Sequence, residues 1–473
     1  MQSMWRLEEY TDRTAAVDEE KNQISYRELF DETCRIAEVL KERCLIFILC
    51  SNTIGALAGY TACINHHIVP LLLAESMDRG LLEQLMKAYQ PDYLWAPAKL
   101  RNTFPDFSAE YEGFGYTLLK TKTQGVYNLN EDLCLLLTTS GSTGSPKLVR
   151  QSYGNVLSNA RSIVQYLELN ETERPITTLP MNYTYGLSII NSHLLAGATL
   201  LLTEKGLMQK EFWRFFKEAE ATSFGGVPYT YEMLDKLRFY QMELPSLRSM
   251  TQAGGKLQPE LHKRFAEYAQ QNGKRFYVMY GQAEATARMS YLPYEKSLEK
   301  YGSMGIAIPG GRFSVMDEDG KEILSPRTAG ELVYEGANVT LGYAECGEDL
   351  AKGDERHGRL ETGDMAEFDS DGYYYIVGRK KRFLKLFGNR VNLDEVDRLV
   401  KAEFGNIDCA SAGRDDKLAL FITEEGLKED IRTFLSQKTG LNSIAFAVHV
   451  IREIPRNASG KVLYQEFDKY MEE

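Results

Sequence analysis

The stretch Leu135–Lys147, LLLTTSGSTGSPK, places the strongest constraint on what this chain can fold into. A short apolar run leads into a loop of glycine, serine and threonine that closes with Pro146 and Lys147. Glycine lets a backbone approach a ligand closely, hydroxyls add hydrogen-bond donors, and lysine adds a positive charge. Open α/β sheets bind ligands at the carboxyl ends of their strands. The stretch therefore predicts a buried strand followed by a phosphate-binding loop, rather than a solvated linker.

This loop differs from the common phosphate-binding motif G-x-x-x-x-G-K-[ST]. Counted from Gly141, Pro146 occupies the position of the second glycine, and Leu148 follows Lys147 where a serine or threonine would hold magnesium. A different phosphate chemistry is therefore indicated, and other parts of the chain must identify it.

Composition and charge exclude several classes of protein. With 473 residues, 43% of them hydrophobic, the chain is long enough for two to four domains. The net charge of −12 disfavours nucleic acid or an anionic membrane as a partner. The seven cysteines form no C-x-x-C pair, and no apolar run is long enough to span a bilayer. A cytoplasmic location is expected.

Helical and strand patterns alternate in the first part of the chain. The residues at 22–43, 55–64 and 78–89 have the character of helices, and the apolar runs Leu45–Cys50, Ile68–Leu73 and Tyr93–Ala96 read as buried strands. This alternation predicts a doubly wound, mainly parallel sheet. Further junctions between strands and small-residue loops, at 223–228, 248–257 and 276–286, predict one crevice lined by several loops.

The character changes from about residue 300. Short alternating runs such as Glu331–Tyr334 and Tyr373–Val377 predict a smaller antiparallel β region. A basic run, Gly378–Arg382, then precedes about 90 residues, which suffice for a small separate domain.

Six segments of this chain, taken in order, resemble the adenylate-forming superfamily, which contains acyl-CoA synthetases, peptide-synthetase adenylation domains and firefly luciferase. They are TTSGSTGSPK at 138–147, YGQAE at 280–284, GELVYEGANVTLGY at 330–343, ETGD at 361–364, GRKKRFLKLFGNRVNLDEVD at 378–397 and PRNASGK at 455–461. The resemblance implies an α/β fold. It consists of a large N-terminal domain, residues 1–380, with two doubly wound α/β subdomains and a small β region. A small mobile α+β C-terminal domain, residues 381–473, follows a hinge near Lys381.

The resemblance also implies roles for residues around ATP. The loop residues Thr138, Ser140, Gly141, Ser142, Thr143, Gly144 and Lys147 would hold the β- and γ-phosphates, with Thr139 as a catalytic candidate. Glu284 would bind Mg²⁺. Gly254, Gly255, Tyr280 and Gly281 would lie around adenine, and Asp364 and Arg379 would contact the ribose. Lys461 would bridge the substrate carboxylate and the α-phosphate.

In the same family, the C-terminal domain turns about the hinge between two half-reactions. The segment near Lys385–Arg390, with Gly388 allowing close approach, would then replace Lys461 and admit a thiol. That thiol is expected to be coenzyme A or the phosphopantetheine of an acyl or peptidyl carrier protein.

Two departures from the family's pattern concern the acid pocket. Threonine usually precedes the catalytic glutamate, whereas Ala283 stands here, and Thr184 stands where amino-acid-activating members carry an acidic residue. A buried ammonium group without a carboxylate partner is costly, so a standard α-amino acid is disfavoured. Asn182, Tyr183, Tyr185, Gly226, Ala283, Pro228 and Tyr229 are the candidate pocket residues, and they favour a small or medium organic acid.

The predicted function is therefore ATP-dependent activation of a small carboxylic acid to an acyl-adenylate, with release of pyrophosphate and transfer of the acyl group to a thiol. Two alternatives stay open at this point. One is an amide- or ester-forming member of the same superfamily. The other is a non-catalytic homologue that binds nucleotide or acyl groups, to which Ala283 lends weight.

Overall fold

A computed structural model of the chain describes residues 4–40, 42–122, 125, 127–138, 147–386, 389–405, 407–414, 417–439, 441–456 and 462–471. For residues 381, 383, 385, 389 and 390 it describes the backbone only. The chain divides into two compact units. The first comprises Met1–Phe313 and Tyr334–Leu360, and the second comprises Ser314–Val333 and Glu361–Glu473.

The α-helices of the described residues are α1 (Tyr26–Leu40), α2 (Ile54–Asn65), α3 (Arg79–Tyr89), α4 (Tyr153–Leu167), α5 (Thr184–Leu195), α6 (Lys210–Glu218), α7 (Pro228–Lys236), α8 (Pro259–Gln271), α9 (Leu393–Glu403), α10 (Lys428–Thr439) and α11 (Asp468–Met471). Local chemistry explains where α1 begins, because Ser25 Oγ accepts a hydrogen bond from Glu28 N while the Glu28 carboxylate accepts one from Ser25 N. None of these helices combines the length and the apolar character that a bilayer crossing requires.

The strands before residue 260 are β1 (Thr14–Asp18), β2 (Gln23–Ser25), β3 (Leu45–Cys50), β4 (Val69–Ala74), β5 (Tyr93–Pro97), β6 (Ser108–Gly113), β7 (Tyr116–Lys120), β8 (Leu133–Thr138), β9 (Leu148–Ser152), β10 (Pro175–Ile176), β11 (Leu200–Leu202), β12 (Ser223–Gly226) and β13 (Ser249–Gln252). Those after it are β14 (Arg275–Tyr280), β15 (Ser290–Tyr291), β16 (Ile306–Ala307), β17 (Gly311–Met316), β18 (Gly330–Gly336), β19 (Gly342–Ala344), β20 (Arg359–Phe368), β21 (Tyr374–Arg379), β22 (Phe383–Leu386), β23 (Asn389–Asn392), β24 (Cys409–Arg414), β25 (Lys417–Ile422) and β26 (Phe446–Val450).

The first unit contains two large sheets with parallel centres. One has the strand order β19-β9-β8-β4-β3-β5-β7-β6, and β3 pairs in parallel with β4 and β5. The other has the order β16-β15-β14-β13-β12-β10-β11-β1-β2, with parallel pairing from β14 through to β1. Antiparallel pairs lie at the edges of both sheets. The predicted pair of α/β subdomains is confirmed.

Helices α1, α2, α4 and α5 share one hydrophobic core with strands of both sheets. Ile46 and Ile48 of β3 belong to this core, while Leu45 and Phe47 of the same strand belong to a second core on the opposite face. A strand that is buried on both faces must be apolar at every position, which explains why Leu45–Cys50 reads as an uninterrupted hydrophobic run.

The second unit contains antiparallel pairs and a small α+β cluster. Strand β20 pairs with β21 in antiparallel register, which confirms the predicted antiparallel β region. The C-terminal strands form a sheet of order β24-β25-β26, whose apolar residues pack with α9 and α10. The division into two compact units does not show about which residue the C-terminal domain would turn. The domain boundary at residue 380 and the hinge near Lys381 therefore stay predictions.

Candidate active site

The predicted phosphate-binding loop starts where β8 ends. Thr138 is the last residue of β8, and its backbone pairs with Leu148 of β9 in antiparallel register. Residues 139–146 lie outside the described residues, so the roles of Thr139, Ser140, Gly141, Ser142, Thr143 and Gly144 stay predictions. Strand β9 was not expected between this loop and α4. It forms because Leu148–Ser152 is buried at all five positions beside β8.

Lys147, at the end of the loop, lies against the ring of Tyr343. Its Nζ is 3.8 Å from the ring centroid, and Cζ of Arg356 is 4.6 Å from the same centroid. The Tyr343 hydroxyl donates a hydrogen bond of 2.7 Å to Glu284 Oε1. Burial raises the pKa of Tyr343 to about 12, and the Glu284 carboxylate adds to this effect. Tyr343 is therefore a neutral donor at physiological pH, and it joins the loop end to Glu284.

Glu284 is held through its backbone as well as its side chain. Its carbonyl oxygen accepts hydrogen bonds of 3.0 Å from Thr340 N, Thr340 Oγ1 and Arg356 Nη1. Glu284 Oε2 accepts no hydrogen bond from the residues that the structure describes. The glutamate is thus positioned firmly, with one carboxylate oxygen available to a ligand.

Arg150 anchors both segments that build this cluster. Its side chain is 0% exposed, and it donates to Tyr343 O at 3.0 Å, to Gly353 O at 3.2 Å and to the Glu355 carboxylate. Arg150 therefore holds β19, which carries Tyr343, and the segment that carries Arg356. Removing Glu355 would leave the charge of the buried Arg150 without its acidic partner, so the loss of this contact is expected to be destabilising.

The turn after β14 carries Glu284 and contains two residues with a strained backbone shortly after it. Thr286 and Ala287 have φ values of 50° and 87°, in the left-handed region that favours glycine. Asn338 stabilises the turn, because its side-chain amide donates to Ala285 O at 2.7 Å and accepts the Tyr334 hydroxyl at 2.8 Å. Strain of this kind costs about 1–3 kcal/mol per residue and is concentrated at functional sites.

The residues predicted to surround adenine follow adjacent parallel strands. Strands β13 and β14 pair directly, so Gly254 and Gly255 after β13 lie at the same sheet edge as Tyr280 and Gly281 at the end of β14. Gly254 has a φ of 84°, and a Cβ there would lie 2.6 Å from the Tyr183 hydroxyl. The structure therefore brings the predicted adenine residues and one predicted pocket residue together.

The predicted pocket residues lie around the start of α5. This helix begins at Thr184, so Tyr185 lies in its first turn and not in the expected loop Pro180–Gly186. The rings of Tyr183 and Tyr185 meet edge to face at 6.5 Å, and the Tyr185 hydroxyl bonds Thr251 Oγ1 at 2.8 Å. Gly226 ends the neighbouring β12.

Two other pocket candidates, Asn182 and Ala283, have different surroundings. Asn182 Oδ1 is buried and has no hydrogen-bond partner among the described residues. Such an atom suits a donor from a ligand. Ala283 opens the short turn that carries Glu284, and its side chain is half-buried.

The two residues predicted to contact ribose meet within the second unit. Asp364 and Arg379 are opposite each other in the β20–β21 pairing, and Arg379 Nε lies 3.5 Å from Asp364 Oδ1. Asp364 is buried whereas Arg379 is exposed. Lys461 lies outside the described residues, and only the backbone of Lys381 is described, so both of their roles stay predictions.

Comparison with known proteins identifies the family. The sequence profile of the AMP-binding enzymes matches residues 4–344. The chain belongs to the AMP-binding enzyme family. This AMP-binding enzyme is 31% identical over 356 residues to oxalate–CoA ligase of Arabidopsis thaliana, covering 71% of this chain and 67% of the relative. It is 26% identical over 485 residues to 2-succinylbenzoate–CoA ligase of Bacillus licheniformis, covering 97% of each.

Solved structures share the fold of this AMP-binding enzyme. O-succinylbenzoate coenzyme A synthetase (MenE) from Bacillus subtilis, in complex with AMP, superposes with a TM-score of 0.79 at 22% identity over 98% of both chains. The same synthetase has been solved with ATP and a magnesium ion. The predicted superfamily and α/β fold are confirmed. The predicted class, an ATP-dependent and AMP-forming acid–thiol ligase, is confirmed by the family and its named relatives.

Several residues of the site were not predicted from the sequence. Tyr343 stands in the recognised segment 330–343 but was assigned no role, and Arg356 lies in an ordinary charged stretch. Arg150 and Asn338 likewise carry no sequence signal of burial. The one indication in the sequence was that Tyr343 is the last residue of the recognised segment 330–343.

Proposed function

We propose that this AMP-binding enzyme joins a small carboxylic acid to ATP to form an acyl-adenylate and pyrophosphate, and then transfers the acyl group to the thiol of coenzyme A. One observation carries the proposal. Lys147, at the end of the phosphate loop, and Glu284, the candidate metal residue, meet on the single side chain of Tyr343. This contact supports the proposal, because it joins a cation and an oriented carboxylate beside the loop that is predicted to bind the triphosphate.

In the first half-reaction, a carboxylate oxygen of the acid bonds to the α-phosphorus, and the bond from that phosphorus to the bridging oxygen breaks. Negative charge builds on the leaving pyrophosphate. Lys147 and Arg356 lie beside the same ring and supply positive charge for it. Lys461 would neutralise the substrate carboxylate and the α-phosphate, and Asp364 would accept hydrogen bonds from ribose hydroxyls.

The residues present fit a magnesium ion that arrives with the nucleotide. Mg²⁺ is commonly bound through one or two carboxylates together with substrate phosphates. Glu284 Oε2 is available for such a role, and no cluster of three or more metal-ligating side chains occurs within the described ranges. When bound, Mg²⁺ supplies charge stabilisation to the phosphate oxygens. Tyr343 orients Glu284 for that contact.

The second half-reaction requires the C-terminal part of the chain to turn, and polar anchors within the second unit support a hinge at Lys381. Before it, Lys380 bonds Glu331 in the β region at 2.8 Å. After it, Arg382 bonds Asp394 at 2.5 Å and Asp397 at 3.1 Å, both on α9. The side chains on the two sides of Lys381 are therefore anchored to different elements, although Asn392 donates to Val377 O across this point.

Coenzyme A is the acceptor that we propose, because the named relatives are CoA ligases acting on oxalate and 2-succinylbenzoate. A small carboxylic acid fits the same comparison. A thioester assay that offers coenzyme A or a phosphopantetheinylated carrier protein separates the two acceptors. Product with the carrier alone would reject the coenzyme A assignment and retain the adenylation step.

The decisive experiment is ATP–pyrophosphate exchange across a panel of fatty, aryl, hydroxy, amino and dicarboxylic acids. We expect exchange with at least one small acid and little with standard α-amino acids. The absence of exchange with every acid would overturn the proposed ligase and favour a non-catalytic binding protein.

The contact between Tyr343 and Glu284 leads to a specific prediction. Tyr343→Phe keeps the ring beside Lys147 and Arg356 but removes the hydrogen bond to Glu284. Hydrogen bonds to charged groups contribute about 1.5–3 kcal/mol, so we expect exchange to fall about 10- to 100-fold. The Mg²⁺ concentration that gives half-maximal rate should rise.

Tyr60→Phe is the control, since Tyr60 is fully buried and its hydroxyl donates to Asn191 Oδ1 at 2.7 Å rather than to Glu284. The control should lose some thermal stability with an unchanged Mg²⁺ requirement. If both variants showed the same Mg²⁺ dependence as the wild type, Tyr343 would not orient Glu284.

A further inference from the structure

Arg288 is a buried cation that lacks an acidic partner among the described residues. Its side chain is 2% exposed and lies four residues after Glu284. It donates to Ser188 Oγ at 3.0 Å, to Tyr166 Oη at 3.1 Å and to Met279 Sδ at 3.4 Å. Its guanidinium carbon also lies 5.2 Å from the centre of the Tyr185 ring. Every one of these groups is neutral.

Other buried arginines of this chain are treated differently. Arg150 is paired with Glu355, and Arg382 is paired with Asp394 and Asp397. A buried charge is normally paired, because removing it from water without a partner is costly. Burial and the charge of Arg288 lower the pKa of the nearby His193 to about 4, so this histidine is neutral at physiological pH. Arg288 therefore carries a positive charge that the described protein residues leave uncompensated.

The surroundings of Arg288 belong to the candidate acid pocket. Tyr185 and Ser188 lie on the first two turns of α5, and the Tyr185 hydroxyl reaches Thr251 on β13. A Cβ at Gly225, beside the pocket candidate Gly226, would lie 3.0 Å from the same hydroxyl. Arg288 thus contacts a wall of the pocket from the side of α4 and β14.

A buried donor without a partner among the described residues lines the same cavity as Ser188. Ser188, which accepts the hydrogen bond from Arg288, lines a cavity between α4 and α5 together with Thr184, Thr286 and Gln151. Gln151 is 1% exposed, and its Nε2 has no hydrogen-bond partner among the described residues. An uncompensated cation and a free amide donor both favour a ligand group that accepts hydrogen bonds and carries negative charge.

We propose that Arg288 is a specificity-determining residue that binds a second anionic group of the acid, so that the preferred substrate is a dicarboxylic acid. This inference rests on the proposed ligase activity. One carboxylate of the substrate reacts at the α-phosphate. The other carboxylate supplies the negative charge that pairs with Arg288. The same cation repels the ammonium group of an amino acid, in accord with the neutral Thr184 nearby.

The wild-type enzyme provides the first test. ATP–pyrophosphate exchange is measured with linear dicarboxylates from malonate to adipate and with the monoamide of each, which keeps the shape and removes one charge. We expect at least one dicarboxylate to exceed its monoamide by about 100-fold in kcat/KM, because a site built for a charged partner rejects an analogue without it. Exchange that is as fast with monoamides or plain monocarboxylates would overturn the inference and leave the ligase intact. No exchange with any acid would instead overturn the proposed function.

Substitution separates a binding role from a structural one. In Arg288→Met, the preference for dicarboxylate over monoamide should disappear, mainly through a higher KM for the dicarboxylate, whereas Arg288→Lys should retain part of it. Tyr166→Phe is the matched control, because it removes a partner of Arg288 and keeps the charge, so its preference should persist. An equal loss for both acids in Arg288→Met, with the preference unchanged, would show that Arg288 is structural. If that variant does not fold, the wild-type comparison still decides.

Discussion

Replacing Lys461 by alanine is expected to reduce ATP–pyrophosphate exchange by at least 10²–10³-fold. The carboxylate of the acid and the α-phosphate are both negative, and they must approach each other while charge develops on the leaving oxygen. Removing one preorganised contact to such a transition state typically costs about 3–4 kcal/mol. The expectation comes from the match of PRNASGK at 455–461 to the family's segment, since Lys461 lies outside the described residues.

Two comparisons make the Lys461 prediction specific. Thioester formation from a prepared acyl-adenylate should be almost unaffected by Lys461→Ala, because that step no longer involves attack on phosphorus. Lys469→Ala is the control variant, since Lys469 is an exposed lysine whose contacts are with Glu466 and with the ring of Tyr470. Near-normal exchange in Lys461→Ala would remove this lysine from the adenylation step.

Gly281→Ala is expected to eliminate most adenylation activity through a purely steric effect. A Cβ at Gly281 would lie 1.6 Å from Ala287 O and 2.9 Å from the Cα of Arg288. Both are backbone atoms, so no side chain can rotate away, and the whole turn that carries Glu284 must move. A displacement of about 1 Å in positioned groups can cost about 100-fold in rate, and we expect at least that loss of exchange. Overpacking should also lower the free energy of unfolding by about 1–3 kcal/mol.

Gly353→Ala is the matched control, because a Cβ there would meet no atom within 4 Å and its φ is not in the left-handed region. That variant should keep wild-type exchange and melting temperature. The two effects of Gly281→Ala are separated by measuring exchange well below the melting temperature, with circular dichroism of the same sample. Wild-type exchange in Gly281→Ala would mean that the close packing of Gly281 on Ala287 does not position Glu284.

The order of motifs along the chain predicted which residues the fold would bring close together. Asp364 and Arg379 were predicted to act together, and the structure pairs them across two strands. Gly254, Tyr280 and Tyr183 were assigned to one crevice and are found around one sheet edge. These residues lie together because parallel strands present their carboxyl ends on one side, while the roles assigned to them stay predictions.

The groups that position Glu284 could not be predicted in the same way. Tyr343 is 59 residues beyond Glu284, and Arg356 is 72 residues beyond it, yet both bond to it. Strand β9 and the hairpin of β6 and β7 were also not predicted, since short edge strands depend on what they pair with. The sequence around Arg150 and Arg288 does not distinguish these buried arginines from arginines on the surface.

By itself, the sequence determined the α/β class and the family, since these follow from local patterns of apolar, small and charged residues. The chemistry assigned to the phosphate loop stays a prediction. Only the tertiary structure decided which side chains orient Glu284 and that Arg288 is buried among neutral groups. Burial and charge pairing are relations between distant segments, and they exist only once the sheets and helices have packed. The family match identifies an AMP-binding enzyme. The surroundings of Arg288 are the basis on which we propose a dicarboxylic acid as its substrate.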